Sequence, residues 1–261
     1  QTAPHRLART PRDAGAMTRV SSASPSSPAS PSIRPVEEGY TPWVLRAYRQ
    51  LLKPNSRRDW LAATHRCLKR NGNRLTYSDV VQRAAELTGY HPSFVAGLAV
   101  HESYCNPTLL TRDGGYGLAQ ITPQNGVVDA RWLRRARRIL GHEANWRHEP
   151  LDNLVLGLAE LLEAQEEFSD VGLGLAAYNA GIGGVRNAQN QSGWEAGQPF
   201  LPLTRITPRL RYWRHHWDAR HYAAKVLATS LLVDRVVHGR PLQPVRRLQI
   251  HDIPGSTRAA H

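Results

Sequence analysis

Two cysteines, one methionine and three phenylalanines stand in a chain of 261 residues. Two cysteines are too few for a disulfide-dense mini-protein or a zinc module built on cysteine ligands. Long apolar runs are missing too. Stretches such as Phe94 to Val100 reach seven residues, far short of the roughly 18–20 that a membrane-spanning helix needs. No internal repeat, no collagen-like period and no sustained apolar–polar alternation occurs, so solenoid, fibrous and strand-rich classes are set aside. Lysine is scarce. Only Lys53, Lys69 and Lys225 are lysines among 34 basic residues, so 31 are arginines against 21 acids, for a net charge of +13. Such a surface favours anions: nucleic acid, acidic membrane, or an acidic polymer such as bacterial cell wall. Charge alone does not choose among them.

What remains is a chain long enough for one sizeable core with tails. It opens on Gln1 with Met17 as its only methionine, which reads as a removed leader or a shortened start. Residues 1–39 are rich in Pro, Ser, Ala and Arg and read as a disordered extension. From about 40 to 240 helical periodicity takes over, and residues 241–261 read as a basic tail. Val44, Tyr48, Leu51 and Leu52 stripe a first helix that Pro54 ends. Ser56-x-x-Asp59 and Thr76-x-x-Asp79 look like capping boxes, and Gly89 suits a C-terminal cap. Pro92 opens a further helix, closed before Asn106-Pro107. Leu154, Leu158, Leu161, Leu162 and Phe168 stripe another. Residues 172–180 form a short one stopped by Gly181, and Asp218 caps a last one. The expected class is mainly α. Cys67 and Cys105 can pair in an oxidising compartment, worth roughly 4 kcal/mol in the chain-entropy model; the alternative is two buried thiols.

One helix carries an odd residue. Val95, Leu98 and Glu102 share a face, so a carboxyl stands on the apolar side of its helix, in the last turn. Desolvation and the negative end of the helix dipole both disfavour its ionised form. A carboxyl kept protonated near neutral pH is what a general acid needs. By itself this could equally be a buried acid paired with arginine. The stretch Thr111-Arg-Asp-Gly-Gly-Tyr-Gly-Leu-Ala-Gln-Ile-Thr122 follows, its glycines open to close ligand approach and Gln120 offering an amide. Ala177-Tyr178-Asn179-Ala180-Gly181 puts a phenol and an amide at a helix end. Neutral polar groups around one acid suit an uncharged polyhydroxyl ligand better than a phosphate.

The order Glu102-Ser103…Asn106-Pro107, Gly117-Leu118-Ala119-Gln120, Asn153…Gly157 and Ala177-Tyr178-Asn179-Ala180-Gly181, over roughly residues 75–235, resembles the soluble lytic transglycosylase domain. This is the lysozyme-like glycoside hydrolase family 23. The resemblance implies a mainly α, lysozyme-like catalytic domain that cleaves the MurNAc–GlcNAc β-1,4 bond of peptidoglycan without water and leaves a 1,6-anhydro end. It implies no cofactor and no metal. It makes Glu102 the single acid and base. It places Ser103, Thr111, Gly117, Gln120, Tyr178 and Asn179 along the sugar groove, and gives Tyr222 the task of orienting the catalytic carboxyl. Ala119 stands where the family usually has methionine, Thr111 where it has serine and Gly115 where alanine is common; residues 125–150 are longer than a minimal member needs.

Other readings compete. Hydrolysis would need a second carboxylate. Asp113 is the acid of the glycine loop, although Asp-Gly is a frequent turn pair, and the goose-type lysozymes' aspartate positions hold Thr111 and Thr122 here. A weakly active wall-binding module serving a secretion, conjugation or phage machine is the reading from another class. Arg131 to Arg138 could bind nucleic acid, but no recognised nucleic-acid motif accompanies it. His101, Glu102 and Cys105 lack the further ligands of a metal site, and Gly181 to Gly184 follows a helix rather than a strand. Trp132, Trp146, Trp194, Trp213 and Trp217 are candidates for sugar stacking, most of them expected in the core; His215, His216 and His221 read as surface or packing. The resulting expectation is a monomeric, extracytoplasmic enzyme acting on glycan strands.

Overall fold

Proline starts several helices in this chain, because the first turn leaves N–H groups unpaired and proline has none to lose. It occupies the opening positions of α1 (Thr41–Leu51), α2 (Pro54–Arg66), α4 (Pro92–Ser103) and α6 (Pro150–Phe168). Side-chain caps start others. Ser78 accepts the Val81 N–H at α3 (Asp79–Thr88), Asp129 that of Arg131 at α5 (Ala130–Leu140), and Asp170 that of Leu173 at α7 (Val171–Ala180). Helices α8 (Ile182–Ser192) and α9 (Ala219–Val237) complete the set. The structure is a computed structural model that describes residues 33–192, 219–245 and 248–257. Asp218, Trp194, Trp213, Trp217, His215, His216 and almost all of the N-terminal extension lie outside the described residues.

The mainly α expectation holds, with local corrections. Residues 68–77 form an antiparallel hairpin, β1 (Leu68–Asn71) and β2 (Arg74–Tyr77), in register Leu68 to Tyr77 and Asn71 to Arg74. Four-residue strands with mostly exposed side chains are too short to show alternation. The sequence signal was the two-residue turn itself, Gly72-Asn73, with Gly72 at φ 57°. Thr76 therefore lies in a strand, and the cap of α3 is Ser78. The Ser56 box is not a cap either: α2 begins at Pro54 behind Lys53, with no side-chain cap bond. The C-terminal tail is not loose throughout. Ile250, Ile253 and Ser256 are buried, and the Ser256 carbonyl accepts the Val36 N–H at 2.9 Å. Packing at the other end begins before residue 40, since Val36 is buried and Arg34 bridges to Asp170.

Helix α4 is the buried axis, with Phe94 to Val100 wholly enclosed. Helix α9 packs along it and also meets α1 and α7; α6 packs against α7, α5 and α3. Helices α4 and α9 cross closely at Gly97, where an added Cβ would stand 2.6 Å from the Ser230 Cα. Ser93 reaches Asp234 at one end of this pair, and Tyr222 reaches Glu102 at the other. The pair is thus antiparallel, and its second end carries the candidate site.

Candidate active site

Glu102 occupies the last turn of α4, ahead of Tyr104, which ends the helix in the left-handed conformation at φ 53°. Its carboxyl accepts a hydrogen bond from the Tyr222 hydroxyl of α9. No lysine, arginine or histidine forms an ion pair with it among the described residues. Burial pushes the Glu102 carboxyl up to about 7; the Tyr222 hydrogen bond pulls the other way, and the charge of Asp113 adds to the rise. The upward direction expected from desolvation is present, and Tyr222, expected to orient this carboxyl, is the donor that moderates it. Tyr222, raised well above its ordinary range mainly by burial, is a fixed neutral donor.

Helices α6 and α7 form the wall opposite. The Tyr178 ring lies 6.1 Å from that of Tyr222, nearly parallel, and its hydroxyl donates to the Ala119 carbonyl at 2.7 Å. Gly157 makes room for this arrangement: a Cβ there would fall 2.7 Å from the Tyr178 hydroxyl and would meet the Ala119 side chain. Asn179, one residue on, is exposed.

The glycine loop, residues 111–122, is held from below by Asn153. This buried amide accepts the Ala119 N–H at 2.9 Å and donates to the carbonyls of Tyr116 at 3.0 Å and Trp146 at 3.1 Å. Gly117, at φ 78°, would place a Cβ 2.6 Å from the Asn153 Cγ, so both backbone angle and space demand glycine. Gln120 is turned into the loop. Its amide donates to the carbonyls of Gly117 and Leu109, and its oxygen accepts the Thr111 hydroxyl at 2.8 Å. Ser103 is fully buried, with its hydroxyl on the Ala99 and Leu118 carbonyls. Of the residues expected along the groove, Glu102, Tyr178 and Tyr222 therefore converge. Thr111, Gln120 and Ser103 spend their visible polar contacts on loop architecture.

Asp113 sits in the exposed turn, and hydrogen bonding, first from Thr111, holds its carboxyl below the usual range. Glu160 is a further acid beside the site that the motifs did not mark. It lies half-buried on α6 one turn after Gly157, with no hydrogen bond or ion pair among the described residues. Burial, then the charges of Glu102 and Asp129, push its carboxyl up to about 8. The signal was available: Glu160 interrupts the apolar run Leu154 to Leu162 as Glu102 ends its own.

Cys67 and Cys105 form a disulfide with Cα atoms 5.6 Å apart, tying the end of α2 to the segment that follows Glu102. Several arginines of α5 are neutralised locally: Arg131 by Asp129, Arg135 by Glu163 and Glu166, Arg137 by Glu143. Trp132 and Trp146 are partly buried against the core, and His221 stacks on Trp43 at 5.0 Å.

The loop, the Asn153 strut and the Tyr178 wall fall inside the span that matches a protein-family model. Residues 79–201 match the family model of the transglycosylase SLT domain. The membrane-bound lytic murein transglycosylase F of Desulfosudis oleivorans is 25% identical over 148 residues, covering 49% of this chain and 29% of that protein. The chain thus matches less than a third of that relative's length. Two solved structures are similar at 21% identity. The 70 kDa soluble lytic transglycosylase of Escherichia coli gives a TM-score of 0.44, over 64% of this chain and 25% of that one. An inactive variant of the lytic transglycosylase Slt of Pseudomonas aeruginosa gives 0.46, over 67% and 26%. Tyr222, which contacts Glu102, lies beyond the matched span of the SLT domain, and α2 with its cysteine lies before it.

Proposed function

We propose that the chain is a peptidoglycan lytic transglycosylase that cleaves the MurNAc–GlcNAc β-1,4 bond with Glu102 as its single acid and base. The observation that carries this reading is the state of Glu102: a half-buried carboxyl pushed up to about 7, donor-bonded by Tyr222, with no cation paired to it among the described residues. Such a group holds its proton near neutral pH and can deliver it to the leaving glycosidic oxygen. The resulting carboxylate then takes the proton of the MurNAc 6-hydroxyl as that oxygen closes on C1. The leaving oxygen gains one proton and the 6-hydroxyl loses one, so no water enters and a 1,6-anhydro end results. Tyr222 stabilises the carboxylate between these steps.

Glu160 supports the single-acid reading. A hydrolytic partner must be an ionised carboxylate. A group pushed up to about 8 is protonated at neutral pH. The alternative, hydrolysis, rests on Asp113, which is ionised and whose charge acts on Glu102. The disulfide fits an oxidising, extracytoplasmic location, and the basic surface fits an anionic wall polymer. Muropeptide mass spectrometry after digestion of purified peptidoglycan decides between the readings. Products one water lighter than lysozyme products, without reducible ends, are expected. Reducible MurNAc ends would overturn transglycosylation and assign the water to Asp113. Binding to the sacculus without products would instead indicate a wall-binding module.

A further inference from the structure

The rings around Glu102 do not stop at Tyr222. His101 meets Tyr222 edge to face at 5.2 Å, and Trp60 of α2 stacks parallel to His101 at 6.3 Å. Tyr104 leans on Trp60 at 5.2 Å and 36°. Tyr104 is one of only three large hydrophobic side chains exposed among the described residues, with 46% of its surface open. It is also held with unusual firmness for an exposed residue. Its backbone is left-handed at φ 53°, a conformation that bulky side chains avoid, and Cys105 follows at φ 55°. Three restraints hold this bend, and they come from α2 and the cysteine that follows it. Arg66 Nε donates to the Tyr104 carbonyl at 2.8 Å, Cys67 is bonded to Cys105, and the Trp60 ring backs the Tyr104 ring.

Backbone strain that surroundings over-determine, beside a reactive group, points to use. An aromatic ring with one face covered and its position fixed before binding loses little entropy when a ligand stacks on it. The ligand class follows from continuity. Tyr104 is two residues from Glu102 and connected to it ring by ring, and a pyranose presents an apolar face of C–H groups to an aromatic. We propose that Tyr104, backed by Trp60, is a sugar-stacking subsite that extends the cleft beyond the sugars at Glu102. This rests on the peptidoglycan reading and adds to it a specificity element contributed by residues that precede the SLT domain: the α2 bracket displays Tyr104, and glycan strands long enough to reach it bind more tightly.

The test uses the full chain carrying Glu102→Gln, so that sugar is bound and not cleaved, titrated with β-1,4-linked N-acetylglucosamine hexasaccharide by calorimetry. Adding Tyr104→Ala is expected to raise the hexasaccharide Kd about tenfold, the size of one stacking contact of about 1.4 kcal/mol. Tyr104→Phe, which keeps the ring, is expected within about twofold of the parent. If Tyr104→Ala does not fold, Tyr104→Gly removes the same ring while suiting the left-handed backbone. An unchanged Kd on removal of the ring, or a Phe variant as weak as Ala, would overturn the subsite and leave the peptidoglycan reading standing. Failure of the Glu102→Gln chain to bind the hexasaccharide at all would also overturn the subsite, while the peptidoglycan reading is decided by the muropeptide products.

Discussion

Two acids stand at opposite ends of the same helix pair. At the end of α4 nearest its start, Asp234 of α9 is buried and saturated: Arg240 and His238 pair with it at 3.0 and 3.2 Å, and the Ser93 hydroxyl lies at 3.4 Å. At the other end Glu102 has one neutral donor, Tyr222, and no ion pair among the described residues. Both are withdrawn from solvent, Asp234 buried and Glu102 half-buried; the company differs. A buried carboxylate with cations around it is a structural strut. A buried carboxyl without them keeps a proton it can lend. Among the described residues, the ion-pairing partners gather at the Asp234 end and none is paired with Glu102.

The sharpest way to break the comparison is to remove each acid. Glu102→Gln is expected to lower anhydromuropeptide release by roughly a thousandfold, within the range for loss of a general acid. The fold should survive, as judged by circular dichroism. Stability follows the sign of the shift. The Glu102 carboxyl is raised in the folded state to about 7. Its favourable contribution is therefore complete below its unfolded value and lost as pH rises through 7. The Gln variant should gain on the wild type between pH 5 and pH 8, by on the order of 2–3 kcal/mol. A stability difference that is flat with pH would refute the assignment. Asp234→Ala should do the reverse, costing about 2 kcal/mol by leaving partners unpaired while kcat stays within about twofold. Chemical denaturation and the muropeptide assay together check both arms.

Two smaller changes sharpen the picture at the Glu102 end. Gly157→Ala pushes a methyl against Tyr178 and Ala119, and should cost about 1–3 kcal/mol while lowering kcat, as thermal melts and initial rates will show. Tyr222→Phe removes the donor that favours ionised Glu102. The Glu102 value should rise, moving the alkaline limb of kcat to higher pH, with a loss of roughly tenfold at the optimum. A limb that moves to lower pH would mean that Tyr222 is not the donor.

Helices α1, α6 and α7 were legible because their apolar stripes and terminal signals are local. Glu102 was legible because a charge in an apolar helix is conspicuous in one dimension. The β1–β2 hairpin was not, since its strands are short and largely exposed; its turn dipeptide was the only mark. Gln120 shows a different limit. Its residue type suits sugar, but whether its amide faces a ligand or the Leu109 and Gly117 carbonyls depends on a loop conformation that residue types do not specify.

Composition, periodicity and motif order by themselves determined a mainly α fold and its similarity to the SLT domain, with a candidate acid, because each rests on nearest-neighbour preferences or on residue identity. The resemblance had already named Tyr222 beside that acid; the tertiary structure decided the contact itself and the other groups around it. The Tyr222 donor comes from 120 residues away, Glu160 from another helix, and the Tyr104 bracket from a disulfide that closes a separation of 38 residues. Proton affinity depends on distance and burial, and only the folded chain sets those.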